Sequence, residues 1–343
     1  MYEKKKTRWL RRGAALVMAL WLTASLWVST AAAEEQTRYL VPVGRAVGVK
    51  LFSDGVLVVS VVELEDGGAP ARDAGVRVGD FLMKLNDQPL SSTERVQELL
   101  TENGGQDAVL TVQRNGRTMT LRCEPVPCTD GSYRIGAWIR DSMAGVGTLT
   151  YYDPASGSYG ALGHGITDVD TRQLMTLSGG SIMDTGIKAV RRGEKGKAGE
   201  LKGDFSTMHD VGTLTANTAG GIFGRVEEAE SVIPSREALP VATRGEVHTG
   251  PVTILSTVSG TEVRAYDAEI LRIFSGSRDT RDLLLRVTDP ALLEATGGIV
   301  QGMSGSPILQ DGRFVGAVTH VLLNDPTQGY GILMETMLSM TEV

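Results

Sequence analysis

Cysteine is nearly absent from this 343-residue chain, with Cys123 and Cys128 the only two. Their spacing in "CEPVPC" suits neither a CxxC redox motif nor a zinc knuckle, and two residues cannot staple a fold of this length. They form either one short-loop disulfide or two thiols. Histidine is also scarce: His164, His209, His248 and His320 are scattered, without ligand-spaced acids, so the sequence offers no metal site and asks for no cofactor. Aromatic residues make up 5% while glycine occurs 42 times. That balance argues against a helical bundle and for many turns between short strands, a mainly β chain.

Positive charge is sparse too, except at the start. The first 33 residues hold six Lys or Arg and one acid, which leaves 28 basic against 40 acidic side chains and a net charge near −12 on the rest. Such an acidic body argues against nucleic acid as a partner. At the start, Lys4, Lys5, Lys6, Arg8, Arg11 and Arg12 precede an uncharged run from Gly13 to Ala33 that ends in the small residues Ala31, Ala32 and Ala33. Residues 1–33 are therefore expected to be a signal peptide or an N-terminal membrane anchor. In either case the basic end stays cytoplasmic and everything after residue 34 is exported.

The exported part is long enough for two domains. Residues 40–122 carry short alternating runs such as "GVLVVSVV" and "AVLTVQR", interrupted by "STERVQELLTENGG". There Ser92 or Thr93 caps a helix whose apolar face is Val96, Leu99 and Leu100, and glycines end it. The stretch "PARDAGVRVGDFLMKL" resembles the PDZ family, in particular the PDZ domains of bacterial proteases. That resemblance implies a small barrel over residues 40–125. It also implies a peptide-binding groove between a strand and the helix at 93–100, with Val47, Gly48, Val49, Lys50 and Leu51 as the loop that captures a terminal carboxylate.

From about residue 131 to 343 the texture changes to many brief β-like runs, and "RRGEKGKAGELKGD" reads as an exposed loop. Near its end stands "GGIVQGMSGSPILQDGRFVGAV". Gly302 and Gly305 turn the chain sharply around Ser304, leaving backbone N–H groups uncovered and the hydroxyl presented. Asp311-Gly312 then joins two apolar runs as a hairpin. This is not the Gly-x-Ser-x-Gly elbow, because position 306 is serine and no helix pattern follows. It resembles the nucleophile region of chymotrypsin-like serine peptidases, which implies a double β-barrel and an upstream histidine as base.

Of the histidines, His164 sits between Gly163 and Gly165 on a bare turn, a suitable mount for a general base. His320 is its best rival. It alternates with apolar residues on a strand, whereas His209 and His248 lie near turns. For the acid that would orient the base, Asp289 in "VTDP" competes with Asp168 and Asp170, and Asp289 followed by Pro290 also reads as a helix N-cap.

Taken together, "TGGIVQGMSGSPILQDGRFVGAVTHVLLNDPTQGYGI", "GHGIT", "GEKGKAGELKG" and the PDZ signature resemble the stage IV sporulation protein B family of exported serine peptidases in endospore formers. The resemblance implies Ser304 as nucleophile, His164 as general base, Asp289 as orienting acid, and the N–H groups of Gly302 and Ser304 as oxyanion hole. It further implies protein substrates, among them the enzyme itself and a membrane-bound regulator of an intramembrane protease. Cleavage would take place in the space between forespore and mother cell and release activation of a late mother-cell sigma factor. Two other readings stand beside it: an HtrA-like quality-control protease, and a non-catalytic PDZ scaffold that signals by binding.

Overall fold

The computed structural model describes residues 37–65, 68–204, 209–275 and 280–341, so the expected signal or anchor segment lies outside the described residues. Among these, no helix is long and apolar enough to cross a membrane.

Twelve antiparallel strands, numbered β1–β12, close into two barrels. The first holds β1 (Ala46–Val61), β2 (Ala137–Asp153), β3 (Ser158–Ala161), β4 (Gly179–Asp184), β5 (Asp210–Thr218) and β6 (Gly221–Val226). They pair in the order β1-β2-β3-β6-β5-β4 and back to β1. The second holds β7 (Gly250–Ser256), β8 (Arg264–Ile273), β9 (Leu283–Val287), β10 (Pro307–Gln310), β11 (Arg313–Val321) and β12 (Gln328–Leu333). Its order β7-β8-β9-β12-β11-β10 repeats that winding. Closure satisfies backbone groups that an open sheet would leave on its edges. Each barrel fills its interior from alternate strand positions, Val47, Val49, Leu149, Tyr159 and Ile222 in the first and Ile254, Ile270, Leu285, Ile308 and Val318 in the second. The Asp311-Gly312 turn joins β10 to β11 as the sequence suggested, with φ of 50° and 74° and Gln310 facing Arg313.

The PDZ fold does not precede the first barrel; it is inserted into it. Between β1 and β2 lie the strands Phe81–Leu85, Ala108–Arg114 and Arg117–Cys123 and the helix α1 (Thr93–Glu102). Strands β1 and β2 serve both units. Ala46–Phe52 of β1 pair with Ser142–Thr148 of β2 in the barrel, and Leu57–Val61 pair with Ala137–Arg140 in the PDZ fold. Residues 53–56 bulge between these two registers, and Gly55 there takes a φ of 78°, a left-handed value that glycine adopts without strain. The expected PDZ boundary of 40–125 thus needs correction at both ends. Residues 46–52 belong to the barrel, and the PDZ fold borrows the first residues of β2. Two ladders that share strands cannot be told apart by alternation alone, because both read with a period of two.

Helix α1 follows the sequence reading. The Ser92 hydroxyl caps it by accepting the Arg95 N–H at 3.1 Å, and Val96, Leu99 and Leu100 are its buried face. The aspartate of the "VGD" signature is explained as well. Asp80 is buried and accepts from Arg77 N–H at 2.8 Å and from Arg114 Nε at 2.6 Å and Nη2 at 2.7 Å. A buried carboxylate is tolerated only when its oxygens are met in this way. Cys123 and Cys128 are both buried and are not joined by a disulfide. Burial pushes the Cys123 thiol up to about 12, so it behaves as an inert packing group.

Candidate active site

A cleft of about 780 Å3 is lined by Gly302, Ser304, His164, Thr319 and His320, together with Met143–Val146 of β2 and Ile299–Gln301. The two residues singled out as nucleophile and base, one on each barrel, therefore face one cavity.

Ser304 is held by the turn that joins helix α2 (Pro290–Thr296) to β10. Gly302 and Gly305 on either side adopt φ of 98° and 95°. Gly305 is also a close approach between the barrels, since a Cβ there would stand 2.2 Å from the Thr148 carbonyl oxygen and 2.5 Å from Leu162 N. The Thr148 N–H donates to the Ser304 carbonyl at 3.0 Å, and its hydroxyl donates to the Gly302 carbonyl at 2.8 Å. Strand β2 is thereby fastened to the serine turn. Among the described residues no acceptor meets the N–H of Gly302 or of Ser304. The Ser304 hydroxyl donates to the Thr319 carbonyl at 2.7 Å.

His164 leaves β3 through Leu162 and Gly163, with φ of 71° and 69°. Two successive left-handed residues throw the ring out of the barrel wall and into the cleft. Its Nδ1 lies 3.0 Å from the Gly165 carbonyl oxygen. A carbonyl only accepts, so Nδ1 carries the hydrogen and the Nε2 lone pair is left for proton transfer. The His320 ring stands beside it, with centroids 4.9 Å apart and planes inclined by 37°, and its Nδ1 is buried without a hydrogen-bond partner. The rival histidine is thus a neighbour of His164 within the same cleft.

Burial holds His164 below the ordinary histidine range. His320 is pushed down to about 4 by burial first, then by His164 and by the Arg281 charge. Both rings are neutral near pH 7, as a base must be. The acid limb of kcat/KM is expected below about 6.5, the ordinary histidine value, when the pH profile of cleavage is recorded. The same shift acts on folding. Between about 6.5 and 4 the unfolded chain takes up the His320 proton and the folded chain does not, so stability is present above 6.5 and falls as pH drops through that window.

The remaining sites of the sequence reading lie elsewhere. Asp289 is the N-cap of α2: its carboxylate accepts from Leu292 N–H at 2.9 Å and Asp267 N–H at 3.3 Å, and it does not line the cleft. Asp168 and Asp170 both pair with Arg140. Among the described residues no carboxylate is hydrogen-bonded to His164. Its ring is oriented instead by the Gly165 carbonyl. His209 and His248 are exposed and pair with Glu228 and Asp311.

Val47, Gly48, Val49, Lys50 and Leu51, expected as a carboxylate-binding loop, lie inside β1. They pair with β4 on one side and β2 on the other, so their backbone groups are already used and the expectation is corrected. A groove does run along α1, but its facing wall is the segment from Arg134 to Ile139, together with Thr93, Val96, Gln97 and Leu100 of the helix. At its end Gly136 takes a φ of 73°, and among the described residues the N–H groups of Ile135 and Gly136 meet no backbone acceptor. Its signal in the sequence is "YRIGAWI", a glycine just ahead of an apolar strand, beyond the PDZ boundary expected at residue 125.

Two six-stranded barrels with a serine and a histidine facing one cleft form the double-barrel architecture expected from the sequence. The profile of the SpoIVB peptidase S55 family matches residues 131–338, and the chain belongs to that family. A PDZ-domain profile matches residues 61–114. A probable periplasmic serine endoprotease DegP-like from Pseudomonas putida (strain W619) is 33% identical over 154 residues, which are 44% of this chain and 28% of that protein. The chain therefore spans well under half of that relative's length. Among solved structures, the Rv3671c protease of M. tuberculosis in its active form is 14% identical, covering 58% of this chain and 73% of that one with a TM-score of 0.33. The PDZ domain of an SdrC-like protein from Listeria monocytogenes is 19% identical, covering 25% and 87%, with a TM-score of 0.22.

Proposed function

We infer that the chain is an exported endopeptidase of sporulation, that Ser304 is its nucleophile and that His164 is its general base. The observation that carries the catalytic assignment is the shared cleft, in which the base keeps a free Nε2 and the serine turn keeps two unmet N–H groups. In this reading the Ser304 hydroxyl turns from the Thr319 carbonyl towards His164 and passes its proton to Nε2 as Oγ attacks the scissile carbonyl carbon. The N–H groups of Gly302 and Ser304 receive the developing oxyanion. The leaving amine takes the proton back from His164, and water then hydrolyses the acyl-enzyme by the same path in reverse. Asp289, held as a helix cap, supports the placement of the serine turn through α2.

The family and the DegP-like relative, described as periplasmic, support export, and the basic and apolar N-terminus agrees with it. Family membership also supports the substrates named for it: the enzyme itself and a membrane-bound regulator of an intramembrane protease, whose cleavage triggers a late sigma factor. Incubating the intact protein alone and mapping its fragments by mass spectrometry tests this. Discrete self-cleavage products are expected from the native chain and none from Ser304→Ala; identical fragments from both would end the assignment.

A further inference from the structure

Strand β2 is a single run of 17 residues, Ala137–Asp153, and it serves two grooves. Its first residues, Ala137, Trp138 and Ile139, form the wall facing α1. Further along, Met143, Ala144, Gly145 and Val146 line the cleft of Ser304 and His164. Two residues beyond Val146, the Thr148 N–H is bonded to the carbonyl of Ser304 itself. Among the described residues, β2 from Ala137 to Gly147 is paired on one side only, to β1. Its partner on the other side, β3, starts at Leu149.

One unpaired strand edge therefore leads from the helix groove to the nucleophile. Large exposed apolar side chains accompany it. Trp138 is 66% exposed in the groove, and Val169 at 66% and Leu323 at 52% line the cleft.

An incoming chain that adds antiparallel to this edge runs towards the amino end of β2. Its last residues reach Ile135 and Gly136, whose N–H groups are unmet, as a free carboxylate requires. Its upstream residues pass the start of α1, where Thr93 N–H donates to the Asp141 carboxylate, and arrive beside Val146. The directions agree: the carboxyl end lies in the groove and the chain upstream of it lies in the cleft. From Gly136 to Val146 is about ten strand residues, or roughly 33 Å at 3.3 Å each.

We propose that substrates bind along this edge as one added strand. The carboxyl terminus is held beside Gly136, and Ser304 cuts the bond about a dozen residues upstream of it. The occupant is an extended polypeptide with a free terminal carboxylate and apolar side chains near its end. This rests on Ser304 being the nucleophile and adds to it a rule for where the enzyme cuts.

The test uses the intact protein and a library of random 25-residue peptides, supplied once with free and once with amidated carboxyl ends. Cut positions are read by mass spectrometry, and Ser304 is titrated with a fluorophosphonate. Cuts are expected to cluster about 10 to 13 residues from the free end, and kcat/KM is expected to fall at least tenfold on amidation. Lengthening a cleaved peptide by two residues at its carboxyl end should move the cut by two. Cleavage scattered along the peptides, or equally fast on amidated ones, overturns the rule while leaving the peptidase intact. Absence of both cleavage and fluorophosphonate labelling would instead remove the nucleophile on which the rule rests.

Discussion

Ser304→Ala and His164→Ala are each expected to slow peptide cleavage by about 10⁴-fold or more, and the double variant to be no slower than either alone. The reason is chemical. The hydroxyl is a useful nucleophile only while a neutral imidazole takes its proton, so removing either member removes the same step. What remains in all three variants is binding and the two N–H groups of the serine turn. By contrast, His209→Ala and His248→Ala should leave kcat/KM within about twofold, because exposed ion pairs contribute little and theirs are made with Glu228 and Asp311. Steady-state rates on one peptide decide the matter: additive losses in the double variant would mean that the two residues do not act in one step.

The second large effect is expected away from the reacting atoms. Gly305→Ala should cost about 3 kcal/mol or more of stability, or leave a folded protein with its serine displaced, because the φ is left-handed and the space is taken. The obstacles at 2.2 Å and 2.5 Å are backbone atoms of Thr148 and Leu162, which cannot swing aside as a side chain would. Leu162 leads directly into His164, so a Cβ at Gly305 pushes nucleophile and base apart together. A displacement of about 1 Å costs roughly 10²-fold in rate. Gly245→Ala, where nothing lies within 4 Å of the added Cβ, is the control and should stay within about 0.5 kcal/mol. Denaturant midpoints and cleavage rates on the three proteins check it, and near-native values for Gly305→Ala would contradict the close approach.

The legible parts of the chain were those where chemistry is local. The serine turn, the Asp311-Gly312 hairpin and the apolar face of α1 each depend on neighbours within a few residues and are read directly, and the α1 cap is read to within one residue, Ser92 or Thr93. Asp289 shows the limit. "Asp-Pro" ahead of a helix fits a cap, and fifteen residues before a nucleophile it also fits an acid; local pattern cannot say which contact it makes. The course of β1 and β2 was illegible for a different reason. Strand pairing is set by partners about 90 residues apart, and a shared strand looks like two strands of separate domains. The supposed carboxylate loop at Val47–Leu51 failed on that point, since a glycine in an apolar run reads alike in a loop and in a paired strand.

The insertion of the PDZ fold within the barrel bears on how the molecule assembles. The first two barrel strands cannot meet until the chain between them has folded back on itself, so closing this long loop by forming the inserted module first lowers the entropy cost of bringing Phe52 beside Ser142. A substitution that merely loosens the inserted unit is therefore expected to slow refolding of the barrel around it, which a refolding rate followed in both units would read.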